Sequence, residues 1–233
     1  MSVRLTAVTF DARDPARLAR FWAGVLGRPA VEDARGLALP GDMTQAGLRF
    51  VAGPAARSGP NRLHLHLTST DAADQQATVS RVLGLGGSHL DVGQRPEEDH
   101  VVLADPEGNA LCVIGPGSSF LAGCGFLGEV ACDGTRTVGL FWSAALGWPL
   151  VWDQDEETAV QSPHGGTKVA WGGPPVAPKA GRNRQRFELT ADGDPAVEVE
   201  RLVALGASVL PVDDEGAVEL ADPDGNEFTV LPG

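Results

Sequence analysis

The segments LADPEGN (103–109) and LADPDGN (220–226) repeat one seven-residue phrase with a single Glu-to-Asp difference. In each copy, proline fixes a backbone angle that suits a turn, and glycine tolerates the positive φ that many tight turns need. Each phrase therefore predicts a hairpin turn between two short strands. Turns of this composition occur in proteins of many functions, so the phrase itself indicates structure, and only its surroundings can indicate function.

The phrase belongs to a longer repeat. Three other pairs of segments match in the same order along the chain: FWAGVLGRPAV (21–31) with FWSAALGWPLV (141–151), NRLHLHLT (61–68) with NRQRFELT (183–190), and VSRVLGLGGS (79–88) with VERLVALGAS (199–208). The offsets between copies vary only from 117 to 122 positions, which indicates two equivalent halves, residues 1–117 and 118–233. The glycine-rich segment GPGSSFLAG (115–123) indicates a short linker between them.

Helical patterns recur at equivalent places in the two halves. The first helix is predicted from apolar residues three or four positions apart: Leu18, Phe21, Trp22, Val25 and Leu26. Asp14 is a suitable N-cap, Pro15 suits the first helical position, and Gly27 suits the end. The second half repeats this pattern at residues 138–147, and a second helix is predicted before Gly86 and before Gly206.

Short strand-like segments surround these helices. In the first half they are RLTAVTF (4–10), LRFVAG (48–53), NRLHLHLT (61–68), HVVLA (100–104) and ALCVI (110–114). They alternate apolar and polar residues or are rich in β-branched residues, which is typical of strands. Each half is therefore predicted to contain the order β-α-β-β-β twice.

Composition indicates a globular protein that is not expected to bind polyanions. Of the 233 residues, 42% are hydrophobic, and the formal net charge is −13, which repels nucleic acid and anionic membranes and would attract a cationic ligand. No apolar run reaches the about 18 residues of a membrane span, and Arg4 and Asp11 interrupt any signal-peptide pattern. Cys112, Cys124 and Cys132 lack C-x-x-C spacing, so we expect reduced thiols. We therefore expect a cytoplasmic protein without nucleic-acid or membrane partners.

The chain resembles the vicinal oxygen chelate superfamily, which includes glyoxalase I, bleomycin-resistance proteins, fosfomycin-resistance enzymes and extradiol dioxygenases. The resemblance is carried by DPARLARFWAGVLG (14–27), NRLHLHLT (61–68), VSRVLGLGG (79–87), LADPEGNALCVI (103–114), RTVGLFWSAALGW (136–148), VERLVALGAS (199–208) and LADPDGNEFTVL (220–231). It implies an α+β fold of two tandem glyoxalase-like domains, residues 1–117 and 118–233, each built of paired βαβββ modules that form a cup-shaped sheet. Because single-domain relatives pair as dimers, we expect intramolecular pairing and a monomer.

The resemblance also implies four metal-ligand positions, commonly two His and two Glu in the metal-dependent members. Three of these positions lack the usual ligand in both halves, where they hold Ala7 and Leu127, Val51 and Trp171, and Cys112 and Thr229. The remaining position offers His64 and His66 in one half, and Arg186 and Glu188 in the other. Since no full ligand set is found, we expect no metal and no other cofactor.

The segment NRLHLHLT carries the strongest candidates for chemistry. In a strand, the leucines of LHLHL (63–67) share one face, and His64 and His66 share the other. If the leucines pack on helices, both imidazoles line the cup, where histidine is suited to proton transfer or to holding a ligand. The alternative is an edge strand with a solvated polar face, which is ordinary in antiparallel sheets.

Other candidate residues also have structural alternatives. Trp148, Trp152 and Trp171 lie close together in the sequence and are predicted either to line a ligand pocket or to close the core. Asp11 and Glu129 share the strand parity of the lost metal positions, so they could give the cups acidic floors.

Arg186 and Glu188 alternate with Phe187 and Leu189 in the same way as the histidines alternate with leucines. Cys112 is typical of a buried apolar filler, because no base is near it in the sequence.

Two functions remain open at this level. The favoured one is a metal-free protein that sequesters or carries a small, partly aromatic molecule, with a cationic group suggested by the acidic balance. Its candidate ligand-binding residues are Asp11, Cys112, Glu129, Trp148, Trp152, Trp171, Arg186 and Glu188. The alternative is a lyase, isomerase or dioxygenase-like enzyme with an atypical site around His64, His66 and Cys112, and only this alternative would use a divalent metal. Under either function, one of the two halves could have lost its site.

Overall fold

The computed structural model describes residues 3–53, 61–95, 97–210 and 217–233. These residues form four helices and sixteen strands, arranged as four successive βαβββ modules. The prediction of two such units in each half is therefore confirmed. None of the helices in these ranges is long and apolar enough to cross a membrane.

Modules 1 and 2 occupy the first half of the chain. Module 1 comprises β1 (Val3–Ala12), α1 (Pro15–Leu26), β2 (Val31–Asp33), β3 (Gly36–Leu39) and β4 (Gly47–Ala52). Module 2 comprises β5 (Leu63–Leu67), α2 (Ala72–Gly84), β6 (Ser88–His89), β7 (Val101–Ala104) and β8 (Ala110–Val113). The sequence pattern did not indicate β2, β3 and β6, because strands of two to four residues carry too little periodicity.

Modules 3 and 4 repeat this order in the second half. Module 3 comprises β9 (Leu127–Cys132), α3 (Arg136–Leu146), β10 (Leu150–Gln154), β11 (Glu157–Gln161) and β12 (Lys168–Trp171). Module 4 comprises β13 (Gln185–Ala191), α4 (Pro195–Ala204), β14 (Ser208–Val209), β15 (Val218–Ala221) and β16 (Glu227–Leu231).

The modules combine into two eight-stranded sheets, and each sheet takes one module from each half. Sheet A has the order β14-β15-β16-β13-β1-β4-β3-β2, so it joins modules 1 and 4. Sheet B has the order β10-β11-β12-β9-β5-β8-β7-β6, so it joins modules 2 and 3. The antiparallel pairs β1–β13 and β5–β9 connect the modules at the centre of each sheet. The resemblance implied that the two modules of each domain form one sheet together, and the strand order corrects this, because each sheet pairs a module of one half with a module of the other. The boundary between residues 117 and 118 stays a prediction.

Helix α1 shows why the local sequence folds as predicted. The Asp14 carboxylate accepts a hydrogen bond from the N–H of Arg17, which caps the first turn. Gly27 ends the helix with φ of 65°, a left-handed conformation that glycine adopts without strain. Phe21 and Trp22 are buried in the core. Helix α3 ends in the same way at Gly147, with φ of 64°.

The repeated phrase connects the two modules of each half. Asp105 accepts a hydrogen bond from the indole N–H of Trp22 at 3.3 Å, and Asp222 accepts one from Trp142 at 3.2 Å. Asp105 also accepts hydrogen bonds from the side chain and backbone N–H groups of Asn109, which close the turn. Each copy of the phrase therefore has the same structural role, which is to accept a hydrogen bond from the tryptophan in the helix of the preceding module.

The acidic residue in the middle of the phrase makes a second link. Glu107 accepts hydrogen bonds from the backbone N–H groups of Arg13 and Asp14 at the start of α1. In the second half, Asp224 accepts them from the backbone and hydroxyl of Thr135 at the start of α3. A carboxylate is favourable at a helix N-terminus, where backbone N–H groups lack partners.

Apolar side chains fill the space between the helices and one face of each sheet. Leu63, Leu65 and Leu67 are at most 5% exposed and belong to this core, as the alternation in β5 predicted. The opposite face carries polar and small side chains. We call this opposite face cup A in sheet A and cup B in sheet B.

Candidate functional site

Cup A is lined by charged side chains that neutralise one another. Both oxygens of Asp11 accept hydrogen bonds from Arg186, at 2.6 and 2.8 Å. Glu188 lies 2.9 Å from the Nε of Arg49 and 3.1 Å from Arg35. Asp11, Arg186, Glu188 and Arg49 are all buried. The acidic residues expected on the cup face are therefore present, but arginine side chains pair with their carboxylates.

The same network extends to the rim of cup A. Arg49 also binds Asp33, with 2.8 Å between Nη1 and Oδ1, and Thr9 donates a hydrogen bond to Glu188 at 3.2 Å. Arg182 binds Glu219 with both terminal nitrogens.

A metal ion does not fit cup A. Ala7 and Val51 lie on the cup face of sheet A and offer no ligand atom, while the buried carboxylates are already bound by guanidinium groups. An ion would have to displace those cations from a buried position, where their charge compensates the acids.

Cup B has a different composition. Two rows of residues cross sheet B in register and share its open face. One row consists of Gln161, Lys168, Glu129, His66, Cys112 and Val102. The other consists of Trp152, Ala159, Ala170, Ala131 and His64. The second row contains three alanines between a tryptophan and a histidine.

His66 is held by the carboxylate opposite it. Its Nδ1 lies 2.6 Å from an oxygen of Glu129, on the facing strand β9. Burial opposes ionisation of His66, but its interactions with Cys112 and Glu129 outweigh burial and raise its pKa to about 9. In the metal-free protein, His66 is therefore charged at neutral pH and forms an ion pair with Glu129.

His64 is the neutral neighbour of this ion pair. Burial, the nearby His66 and His100 together lower the pKa of His64 to about 4. The two imidazole rings lie 4.8 Å apart, centre to centre. A neutral imidazole can accept a proton or bind a metal, so the two histidines have different chemistry although they share a strand.

Cys112 completes the cluster and lies on β8 in register with His66. The ligand atoms of His64, His66 and Cys112 all lie within 4.8 Å of one another. Two imidazole nitrogens and a sulfur are donors that a divalent transition metal accepts, so the metal that the superfamily implies fits cup B although it does not fit cup A. The sequence showed no base near Cys112, because His66 reaches it only through the pairing of β5 with β8.

Glu129 reaches the cup because of an irregularity in the strand pairing. The register between β5 and β9 shifts between His66 and Leu67, so Glu129 faces His66 and Leu127 faces Leu67. Leu127 is fully buried in the core. The superfamily's first ligand position, assigned by spacing to Leu127, is therefore represented on the cup face by Glu129. An inserted strand residue leaves no signal that spacing alone reveals.

The three tryptophans that lie close together in the sequence have separate environments in the structure. Trp171 is 2% exposed and packs in the core, because its strand partners Cys132 and Thr158 face away from the cup. Trp152 is 38% exposed at the end of the alanine row in cup B. Trp148 is half-buried and packs against the core. The alternative of closing the core therefore describes Trp171, and the ligand-binding roles of these residues stay predictions.

The strand with the histidines is central in the sheet. β5 lies between β9 and β8 in sheet B, so the alternative of an edge strand with a solvated polar face is wrong. Both histidines keep a small exposed fraction, 17% for the side chain of His66, while the leucines between and beside them are buried.

Two residues at the wall of cup B were not among the candidates that the sequence pattern indicated. Phe120 packs edge-on against Trp152, with 5.9 Å between ring centres. The Nζ of Lys168 lies 4.2 Å from the centre of the Phe120 ring, within cation–π range. Phe120 lies in the linker between halves, so no strand pattern could place it. For Lys168 a signal existed, because the alternation in KVAW (168–171) puts the side chains of Lys168 and Trp171 on opposite faces of the strand.

The comparisons with known proteins agree with this architecture. A family model described as a glyoxalase-like domain matches residues 7–114 and 129–231. The chain belongs to this family. Each matched segment of the glyoxalase-like protein spans two βαβββ modules, so the sequence contains two tandem domains. The two modules of each domain belong to different sheets. The resemblance to the vicinal oxygen chelate superfamily is confirmed.

Solved structures show the same fold at low sequence identity. Glyoxalase I from Zea mays has a TM-score of 0.67 and 14% identity, over 99% of this chain and 92% of that chain. A putative dioxygenase from Bacillus subtilis has a TM-score of 0.62 and 16% identity, over 99% of this chain and 85% of that chain. At these identities the likeness establishes the fold alone. No curated protein matches the glyoxalase-like protein in sequence at a significant level.

Proposed function

We propose that this glyoxalase-like protein binds a small organic molecule in cup B. The observation that carries the proposal is the difference between the two cups. In cup A, arginines pair with the buried carboxylates Asp11 and Glu188. In cup B, half-buried histidines, a thiol and an exposed tryptophan lie on one face, a mixture of polar and apolar groups typical of ligand sites.

The alanine row of cup B supports this proposal. Ala131 and Ala170 lie in register between His64 and the side that carries Trp152, and both remain partly exposed. Because alanine side chains are short, we infer that a flat molecule lies above Ala131 and Ala170. Trp152 and Phe120 would contact its apolar part, and the histidines its polar part.

The charges of cup B refine the expected ligand. The acidic balance of the chain suggested a cationic ligand, but in cup A arginines neutralise Asp11 and Glu188. In cup B, Lys168 is in register with Glu129, and His66 binds the Glu129 carboxylate. We therefore propose an aromatic ligand without a strong net positive charge, held by hydrogen bonds to the imidazoles.

The proposal is tested by filling the alanine row. Small aromatic compounds of neutral, anionic and cationic types are screened by thermal shift, since a ligand at 100 times its Kd stabilises the folded state by about 2.7 kcal/mol. For each compound that binds, Ala131→Leu should weaken binding by roughly tenfold or more, about 1.4 kcal/mol, because the leucine occupies the ligand's space. The matched control is Val51→Leu, which adds bulk to the face of cup A and should leave affinity unchanged. Affinities are measured by isothermal titration calorimetry.

Equal binding to wild type and to Ala131→Leu would place the ligand elsewhere and contradict the proposal. A loss of binding in Val51→Leu alone would assign the ligand to cup A.

A second candidate function is catalysis at the same place. The observation that favours it is the Glu129–His66 hydrogen bond of 2.6 Å with His64 beside it, because a carboxylate that orients an imidazole is a common arrangement for acid–base catalysis. The activity would be that of a lyase, isomerase or dioxygenase-like enzyme. Turnover of a bound compound that disappears in His64→Gln, with its affinity retained, would support the enzyme over the binding protein.

A further inference from the structure

Three side chains of types that commonly ligate metals lie close together in cup B, and all three belong to module 2. His64 and His66 project from the same face of β5, and Cys112 lies on the adjacent strand β8. Their ligand atoms lie within 4.8 Å of one another. In a tetrahedral site with bonds of about 2.0–2.3 Å, ligand atoms lie about 3.3–3.8 Å apart, so a common ion would draw the most distant of these atoms together by up to about 1.5 Å.

The orientation of His66 supports a ligand role. Its Nδ1 is occupied by the Glu129 carboxylate at 2.6 Å. Its Nε2 is buried and has no hydrogen-bond partner at ordinary distance within the described ranges, although the Cys112 thiol lies near enough to raise the pKa of the ring. A buried ring nitrogen without a close partner is unfavourable, and a metal ion would satisfy it by displacing its proton. A carboxylate behind a ligating imidazole is also the usual arrangement around protein-bound zinc.

The donor set discriminates between classes of ion. Two imidazole nitrogens and one sulfur suit zinc, cobalt and similar ions, whereas magnesium and calcium prefer oxygen ligands. Three protein ligands leave at least one coordination position open. A bound ion there would supply Lewis-acid polarisation of an oxygen atom on a ligand.

This donor set differs from the one that the superfamily resemblance implies. That set commonly combines two His and two Glu, whereas here a thiol takes the place of a carboxylate and the neighbouring Glu129 is engaged by His66. In the facing module, the strand β12 contributes Lys168 and Ala170 to the cup, and neither supplies a usual ligand. The sulfur donor therefore distinguishes the donor set of this chain from the usual set.

We propose that His64, His66 and Cys112 bind one zinc-class divalent ion through two nitrogens and a thiolate, with Glu129 as a positioning residue for His66. This replaces the expectation of a metal-free site. It does not depend on the proposed organic ligand, because the ion is tested alone.

Cobalt(II) is the probe for the experiment. The full chain is stripped with a chelator, dialysed, and titrated with Co²⁺ while its absorption spectrum is recorded. The expected result is saturation at one ion per chain, with a near-ultraviolet band from sulfur-to-cobalt charge transfer and visible bands of low-symmetry coordination. Added Zn²⁺ should abolish both sets of bands by displacing the cobalt, and Mg²⁺ should not.

Variants assign the bands to residues. Cys112→Ser should abolish the charge-transfer band, whereas the matched control Cys124→Ser should keep it, because Cys124 lies outside the cluster. Glu129→Gln should weaken Co²⁺ binding by roughly 10- to 100-fold without removing the charge-transfer band, as expected for a residue behind a ligand. His64→Gln and His66→Gln should each weaken binding more than Glu129→Gln does.

The wild-type spectrum decides the proposal even if a variant fails to fold. No saturable Co²⁺ binding, or saturation without a charge-transfer band, would overturn it. A band that persists in Cys112→Ser and disappears in Cys124→Ser would also overturn it. Failure of the organic-ligand screen would leave these outcomes unaffected.

Discussion

At the residue scale, the two cups show how partners decide the role of a buried acid. Asp11 and Glu129 have similar burial and occupy comparable central strands. Asp11 is held by the permanently charged Arg186, so it contributes to a fixed ion pair. Glu129 is held by His66, a group that can lose its proton or bind a ligand. The first pair is therefore a fixed charge pair, whereas the second contains a group that can change its protonation state.

The buried pair in cup A should be sensitive to loss of one partner. Arg186→Met leaves the Asp11 carboxylate buried, with Arg182 at 4.0 Å as its remaining cationic partner among the described residues, so we expect the free energy of unfolding to fall by about 3–5 kcal/mol. The double variant Asp11→Leu/Arg186→Met should recover part of this loss, because no uncompensated charge remains. Arg4→Met is the control, since Arg4 pairs with Asp192 at the surface and should contribute less than about 1 kcal/mol. Urea denaturation measures all three, and equal losses in Arg186→Met and Arg4→Met would refute this assignment.

At the element scale, the repeated phrase connects a hairpin turn to a helix in another module. Asp105 is buried, and burial raises the pKa of its carboxyl against the opposing effect of hydrogen bonds from Asn109, Glu107 and Trp22. The hydrogen bonds therefore stabilise a carboxylate that its surroundings would otherwise disfavour. The same holds for Asp222 with Asn226 and Trp142.

Removing the indole donor should destabilise the fold, and more at neutral than at acidic pH. Trp22→Phe removes the hydrogen bond to Asp105, and we expect a loss of about 1–3 kcal/mol at pH 7. The pKa of Asp105 is raised in the folded state, so stability falls as pH rises from the unfolded-state pKa to the folded-state pKa. Loss of the indole donor raises the folded-state pKa further, which enlarges this fall. The loss should therefore shrink near pH 4, where more of the carboxyl is protonated.

Denaturant titrations at the two pH values measure this effect. The matched control is Trp152→Phe, at a tryptophan that is 38% exposed, where we expect a change within about 0.5 kcal/mol. A pH-independent loss in Trp22→Phe would show that packing, not the carboxylate, accounts for it.

At the scale of the whole molecule, neither half of the chain contains a complete sheet. Modules 1 and 4 share sheet A through β1 and β13, and modules 2 and 3 share sheet B through β5 and β9. Within a half, contacts such as Trp22 with Asp105 connect one sheet to the other. Intramolecular pairing therefore supplies the contacts that we expected, and a monomeric state stays a prediction.

Separated halves should not fold as stable monomers. In residues 1–117 alone, β1 and β5 would each present an unpaired edge, which promotes association. We expect residues 1–117 and 118–233 to be poorly soluble or to self-associate when expressed separately, and to recover native circular dichroism when refolded together. Size-exclusion chromatography follows the assembly. Two independently folded, monomeric halves would be incompatible with these sheets.

Much of the fold was predictable because its determinants are local. The apolar spacing of α1, the capping by Asp14 and Gly27, and the alternation of LHLHL (63–67) are set by residues that are close in sequence. The assignment of His64 and His66 to the cup face follows from the same alternation and is confirmed. The environments of the tryptophans were not predictable, since the face on which Trp171 lies depends on its strand partners.

The sequence by itself determined the repeat, the module order and the faces of individual strands, because periodicity and turn chemistry act within a few residues. Only the tertiary structure decided which modules share a sheet, and it brought His66, Cys112 and Glu129 together from three strands. It also decided that Asp11 and Glu188 are neutralised while cup B keeps its histidines. Strand register and bulges depend on contacts between distant residues, and a shift of one residue reverses the face on which a side chain lies.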